Sequence, residues 1–221
     1  MQSIASARKY VPADLDCSDF AKIEPILLEL HGRPLRSTSD VEAWLADLSE
    51  LQAVLDEYAA RRYIARSCDT EDEGVKRAYL HWVENVEPRL KPHYFEMQKK
   101  LVGSPHRDGL DPARFRVLLR NWASDVEIFR EENVPLETQV TRIVTEYDEM
   151  CGAMTVRIGE AEYTLQQAAR FLEETDRAVR EEAWRKISAR RLQDRDKADS
   201  LFGTLLDLRA AIGRASCRER V

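Results

Sequence analysis

Between Val41 and Tyr58 the apolar residues Val41, Trp44, Leu48, Leu51, Leu55 and Tyr58 step by three and four, so all six fall on one stripe of a helix with charged residues opposite. A strand would send alternate members of that set to opposite faces of a sheet. The spacing therefore commits this stretch to a helix packed on another helix. The same interval recurs along the chain: Phe20, Ile23, Ile26, Leu27 and Leu30; Val75, Tyr79, Trp82, Val83 and Val86; Phe115, Leu118, Leu119, Trp122, Val126 and Phe129; Val140, Ile143, Val144 and Tyr147. A long polar stretch from Thr175-Asp176 to about Leu208 reads as one further helix, its apolar set including Val179, Ala183, Trp184, Ile187, Leu192, Leu201 and Leu205. Eight Gly and eight Pro in 221 residues leave few interruptions. The fold class expected is mainly α.

Punctuation places the helix ends. The first helix is expected over 18–31, with Pro25 in its first turn and Gly32 in a left-handed cap ahead of Pro34. Ser39 to Glu42, Thr70 to Glu73 and Thr164 to Gln167 each match a capping box, in which a hydroxyl and a side-chain carbonyl satisfy free N–H groups at a helix start. Asp111-Pro112 is a further start signal. Pro88 and Pro92 are expected to stop or kink a helix, Gly103 to Gly109 to form a turn, and Asn133 with Pro135 to separate two helices, the second over 136–150. One segment changes period. Thr155 to Ile158, then Gly159-Glu160-Ala161, then Glu162 to Thr164 read as a small β-hairpin near 153–165. The domain organisation expected is a lead-in over 1–17, a helical domain over 18–151, and the hairpin with a further helical region over 152–211.

The function classes narrow mostly by what is missing. Thirty-four basic against 40 acidic residues give a net charge of −6, which argues against broad binding to nucleic acid or anionic membrane. No apolar run approaches the roughly 20 residues needed to span a bilayer, and the start shows no apolar signal segment, so a cytoplasmic location is expected. Cys17, Cys68, Cys151 and Cys217 form no Cys-x-x-Cys pair. No His-Glu-x-x-His is present, and none of His31, His81, His93 and His106 has a Glu three positions before it, so no metal site can be read. Glycine-rich phosphate loops and the nucleophile elbow are missing too. Catalytic, cofactor-binding and metal residues are accordingly none.

Several residue groups admit a functional and a structural reading, and the structural one is expected each time. His81 is read as packed or capping, and His93 and His106 as turn or surface residues. Glu71-Asp72-Glu73, Glu131-Glu132 and Glu181-Glu182 are read as solvated faces, since neighbours in sequence diverge around a helix. Trp44, Tyr58, Trp122 and Phe129 are read as core. Arg185, Lys186, Arg190, Arg191 and Arg195 are interleaved with acids at i,i+4 spacing, which suits a solvated, ion-paired helix.

The segments SPHRDGLDPARF (Ser104 to Phe115), FREENVPLE (Phe129 to Glu137), GAMTV (Gly152 to Val156) and FLEETDRAVREEAWRKISARR (Phe171 to Arg191) resemble oligoendopeptidase F, of the M3 family of zinc metallopeptidases. YVPADLDCSDFAKIEPILLEL, near the start, is similar to that family's N-terminal part, and the resemblance covers about residues 9–211. It implies the multi-helix N-terminal part of a helical ellipsoid with a deep channel that admits short peptides, of which these helices form one wall. It also implies a cytoplasmic metalloendopeptidase with one catalytic zinc, held by His-Glu-x-x-His and a downstream Glu. No position here matches that motif, so the zinc would be bound outside this chain and the fragment is expected to be inactive and to self-associate through exposed apolar surface. Ile212 to Val221, IGRASCRERV, is similar to a translated sequencing adapter and is expected to interrupt a continuing helix after Leu208. The alternative from another class is a non-enzymatic adaptor that docks a partner helix on the Val41 to Tyr58 stripe.

Overall fold

The computed structural model describes residues 8–69 and 71–217, with side chains through Arg214. It is mainly α-helical with one small antiparallel hairpin, as the periodicity requires. Two compact units are distinguished, one reaching to Thr138 and the other spanning Gln139–Arg214.

In the first unit, helix α1 (Phe20–Gly32) starts at Asp19, whose carboxylate accepts from the Ala21 N–H. Pro25 lies inside the helix rather than in its first turn. Gly32 takes no left-handed conformation, because the chain leaves the helix through an extended Arg33, the backbone state that a following proline favours. Helix α2 (Thr38–Cys68) is capped two residues earlier than expected: Ser37 accepts from the Asp40 N–H, and the Asp40 carboxylate in turn accepts from the Arg36 N–H. An aspartate thus does the work assigned to Glu42. Helix α3 (Glu73–His81) is capped by Asp72, which accepts from Gly74 and Val75; Thr70, the expected cap, lies outside the described residues.

The prolines at 88 and 92 do not stop the chain. A π-turn over Trp82–Val86, closed by the Glu87 N–H on the Trp82 carbonyl, delivers it into α4 (Glu87–Val102), with Pro88 in its first turn and Pro92 within. The wider turn is one of the few ways a helix absorbs a missing donor and ring bulk. A 3-10 turn (Pro105–Gly109) leads to α5 (Pro112–Ile128), which Asp111 caps as expected. Helix α6 (Asn133–Gly152) begins earlier than expected, since Pro135 in a first turn forfeits no hydrogen bond.

Val41, Trp44, Leu48, Leu51 and Leu55 are almost completely buried, together with Ile23, Leu27 and Leu30 of α1 and Leu90, Met97 and Leu101 of α4. Tyr58 closes the stripe with its ring 5.3 Å from that of Trp82. At roughly 1.5–3 kcal/mol for each large apolar side chain removed from water, this seam dominates the stability of the unit. The stripe is spent on the chain's own core, which corrects the adaptor alternative: no free apolar seam remains there to receive a partner helix.

In the second unit, β1 (Thr155–Ile158) and β2 (Ala161–Thr164) pair antiparallel around Gly159-Glu160, with Gly159 at φ 63°, a conformation that glycine adopts without steric cost. Thr164 and Gln167 form the expected capping box at α7 (Leu165–Ala169), which passes through a 3-10 turn (Arg170–Glu173). The long polar helix is two helices, α8 (Arg177–Gln193) and α9 (Arg195–Cys217). They part at Asp194, whose carbonyl accepts from Ala198 to open α9. Short acidic side chains favour such cap positions over helix interiors, and the unbroken polar character of the sequence hid this one. Helix α9 runs on to Cys217, so the expected interruption after Leu208 is not seen.

Candidate functional site

The four histidines are candidates for acid–base or metal chemistry, and the fold separates them into three places. The His81 ring holds the Ser18 carbonyl at 2.9 Å, a tie between α3 and the lead-in to α1. His106 sits in the 3-10 turn, where its own carbonyl accepts from the Thr38 hydroxyl. His93 is neither a turn nor a surface residue: it lies within α4, half-buried, with Nδ1 3.1 Å from Nε2 of His31 on α1. The rings are tilted, 5.3 Å apart, and Phe20 flanks His93 at 5.8 Å. Sequence reading missed this pair because the partners are 62 residues apart and only the phases of two helices bring them together.

Lys100 stands beside the pair. Its ammonium donates to the carbonyls of Leu30, His31 and Arg33 at 2.9, 2.8 and 2.6 Å, gathering the free acceptors at the end of α1. The Trp44 indole N–H donates to the Leu30 carbonyl at 3.0 Å, and the ammonium lies 5.5 Å from the indole ring. Burial and the nearby Arg33 guanidinium both lower the Lys100 pKa, against the pull of Glu29. Arg33 spans Glu29 and Asp47, and Tyr10 donates to Glu29 at 2.5 Å. Burial, then Glu29, push the Tyr10 phenol above its ordinary range. The lead-in is fastened as well: the Glu50 carboxylate accepts from the N–H groups of Lys9, Tyr10 and Val11. These are framework contacts, and none presents a nucleophile or a general base to a cavity.

The acidic pairs behave as solvated faces. Asp72 is a cap, Glu131 and Glu132 are exposed, and Glu181 and Glu182 pair with Arg185 and Lys186 at 2.7 and 2.6 Å. Arg190 and Arg195 pair in the same i,i+4 manner with Asp194 and Asp199. Among the described residues no group of three His, Cys, Asp or Glu side chains is placed to hold a metal ion, so the donor set does not fit a zinc centre. No helix among them is long and apolar enough to cross a membrane.

What the chain does offer is grooves. In the first unit α2 and α5 line a groove of about 420 Å³, where Leu45, Phe115 and Trp122 stand beside Glu42, Ser49, Gln52 and Arg114. Apolar side chains beside amide, hydroxyl, carboxylate and guanidinium groups suit the side chains and main chain of a peptide, and supply no bond-breaking chemistry. In the second unit an apolar groove of about 290 Å³ lies between α6 and α9, walled by Val144, Tyr147, Leu201, Phe202 and Leu205. Trp184 and Leu192 of α8, and Phe202 and Leu206 of α9, are 61%, 67%, 59% and 51% exposed.

Comparison with known proteins gives a family and a fold. Residues 16–129 match the family model of the peptidase M3 N-terminal domain. A crystal structure assigned as an oligoendopeptidase F superposes with a TM-score of 0.83 at 23% identity, over 95% of this chain and 36% of its own. PZ peptidase A, solved with an inhibitor, gives 0.82 at 20% over 94% and 36%. A structure from Bacillus anthracis str. Ames, also assigned as an oligoendopeptidase F, gives 0.80 at 17% over 95% and 38%. At these identities the structural likeness shows the fold alone. The chain spans little more than a third of the length of the structures it resembles, and no curated protein matches it.

Proposed function

The chain belongs to the family of the peptidase M3 N-terminal domain, and from that premise we propose that it is the N-terminal, substrate-channel portion of an oligoendopeptidase F-like zinc metalloendopeptidase that hydrolyses short peptides in the cytoplasm. The observation that carries this reading is the family match over residues 16–129, extended by a fold shared with oligoendopeptidase F structures over 95% of the chain. Free thiols at Cys17, Cys68 and Cys151 are compatible with a reducing compartment.

The zinc of such an enzyme has no fitting donor set among the described residues, so its ligands and general base belong, in this proposal, to the rest of the longer protein. No hydrolytic step is assigned to this chain. Its part is to wall and shape the path of a short peptide, and the exposed Trp184, Leu192, Phe202 and Leu206 are surface that the remainder of the parent would cover. The test is chelator-sensitive cleavage of a quenched fluorescent peptide by the chain and by the extended gene product. The extended protein should bind zinc and cleave; the 221-residue chain should do neither, and should associate in light scattering. Chelator-sensitive cleavage by the chain alone overturns the placement of the site, and a sharp monomer overturns the covered-face reading.

A further inference from the structure

Two imidazoles facing each other nitrogen to nitrogen can share a hydrogen bond only while at least one of the facing nitrogens is unprotonated. His31 Nε2 and His93 Nδ1 face each other at 3.1 Å, one on α1 and one on α4, where both side chains are half-buried. We propose that this pair is an acid-sensitive latch between α1 and α4, closed while the two rings carry at most one extra proton and opened when both are protonated. With both protonated, each facing nitrogen is a donor, the bond is lost, and two like charges stand about 3 Å apart. The proposal is independent of the peptidase reading.

The surroundings decide how readily the second proton enters. Lys100 and Glu96 of α4 face His31, and Arg89 of α4 and Glu24 of α1 face His93. Arg89 and Glu24 largely cancel, since they approach each other at 3.8 Å. Arg89 also covers the Phe20 ring at 3.8 Å, which keeps that side of His93 apolar. Lys100 cannot swing away, because its ammonium is held by three carbonyls. Burial lowers the pKa of both imidazoles below the ordinary 6.5; the charges of His93 and Lys100 add to this at His31, against Glu96, and Arg89 adds to it at His93, against Glu24.

The sign follows from proton counting. A histidine with a lowered native pKa binds fewer protons folded than unfolded, so stability rises with pH across the window between the two values. The latch therefore gives its full stabilisation above about 6.5 and loses it as the pH falls from there through the lowered native values. What loosens first is the end of α1, the turn whose carbonyls Lys100 and Trp44 hold. Glu87, whose pKa burial raises, acts with the opposite sign and is common to both proteins in a comparison of variants.

The test is an imidazole NMR titration of the 221-residue chain beside His93→Gln and a control, His81→Gln. In the unaltered chain, His31 and His93 should titrate below 6.5 in two coupled steps. In H93Q the His31 midpoint should move up toward its ordinary value, and the loss of melting temperature between pH 7.5 and 5 should shrink, whereas H81Q should leave the His31 midpoint in place. Independent titration of both rings near 6.5 in the unaltered chain overturns the proposal even if H93Q does not fold, and so does a His31 midpoint that ignores H93Q.

Discussion

Helix α2 carries nine charged residues among 31 and α8 eight among 17, with one tryptophan in each; Trp44 of α2 is completely buried and Trp184 of α8 is 61% exposed. The difference lies in the denser charge of α8 and in what each helix has beside it. Around α2 stand α1, α4 and α5, so every apolar member of its stripe meets another. Among the described residues the second unit has a smaller core of Met150, Met154, Val156, Leu165, Ala168 and Ile187, to which α8 gives Ile187; Ala183 is buried as well, while Trp184 and Leu192 stay exposed. Surface ion pairs then carry the exposed side of α8, and such pairs are worth little individually. The first unit draws its stability from packing, and the second leaves several large apolar side chains exposed.

The largest expected effect attacks the packed side of that contrast. Trp44→Ala should cost about 3–5 kcal/mol, from a large buried cavity and the lost bond to Leu30, read as a fall in the denaturation midpoint; Trp184→Ala should change stability by no more than about 0.5 kcal/mol. Equal losses would break the comparison. Next comes Lys100→Met, which keeps the stem but strands three carbonyls at the end of α1, for about 1–3 kcal/mol and faster amide exchange in that turn. Gly159→Ala should cost roughly 1–2 kcal/mol, from left-handed strain alone because no atom lies near the added Cβ, with the loss confined to the hairpin unit.

Two smaller effects sharpen the electrostatic side. At Glu50, burial raises the carboxyl pKa but the N–H groups of Val11, Lys9 and Tyr10 outweigh it, and the net shift is downward. The unfolded state then binds the proton first as pH falls, so this stabilisation is present above about 4.5 and lost as the pH drops through the lowered native value. Glu50→Gln should flatten the acid limb of a stability profile there and leave the neutral region nearly level. Glu181→Ala should cost at most about 0.5 kcal/mol, vanishing in high salt.

Legibility in the sequence followed interaction range. Helical stripes, the Asp111 start, the Thr164 to Gln167 box and the hairpin are set by residues within one or two turns of each other, and they appear where periodicity and cap chemistry put them. Cap positions are not fixed by sequence where two candidates compete, as at Ser37 against Ser39, because the geometry of the incoming loop decides between them. The histidine pair and the triply bonded lysine were invisible, since each depends on which faces α1 and α4 turn toward one another. The missing His-Glu-x-x-His is a fact of the sequence alone.

The π-turn at Trp82–Val86 sets the phase of everything that follows in α4. It spends one residue more than an α-turn, and one residue is about 100° of rotation at 3.6 residues per turn. Deleting a single residue there would leave an unbroken helix that a local view would judge improved. It would also rotate Leu90, His93, Met97 and Lys100 together away from α1, so that the core contacts, the latch and the carbonyl clamp fail as one. That short irregular turn serves as the timing mark of the first unit, and its length, more than the identity of its residues, is what a variant must preserve.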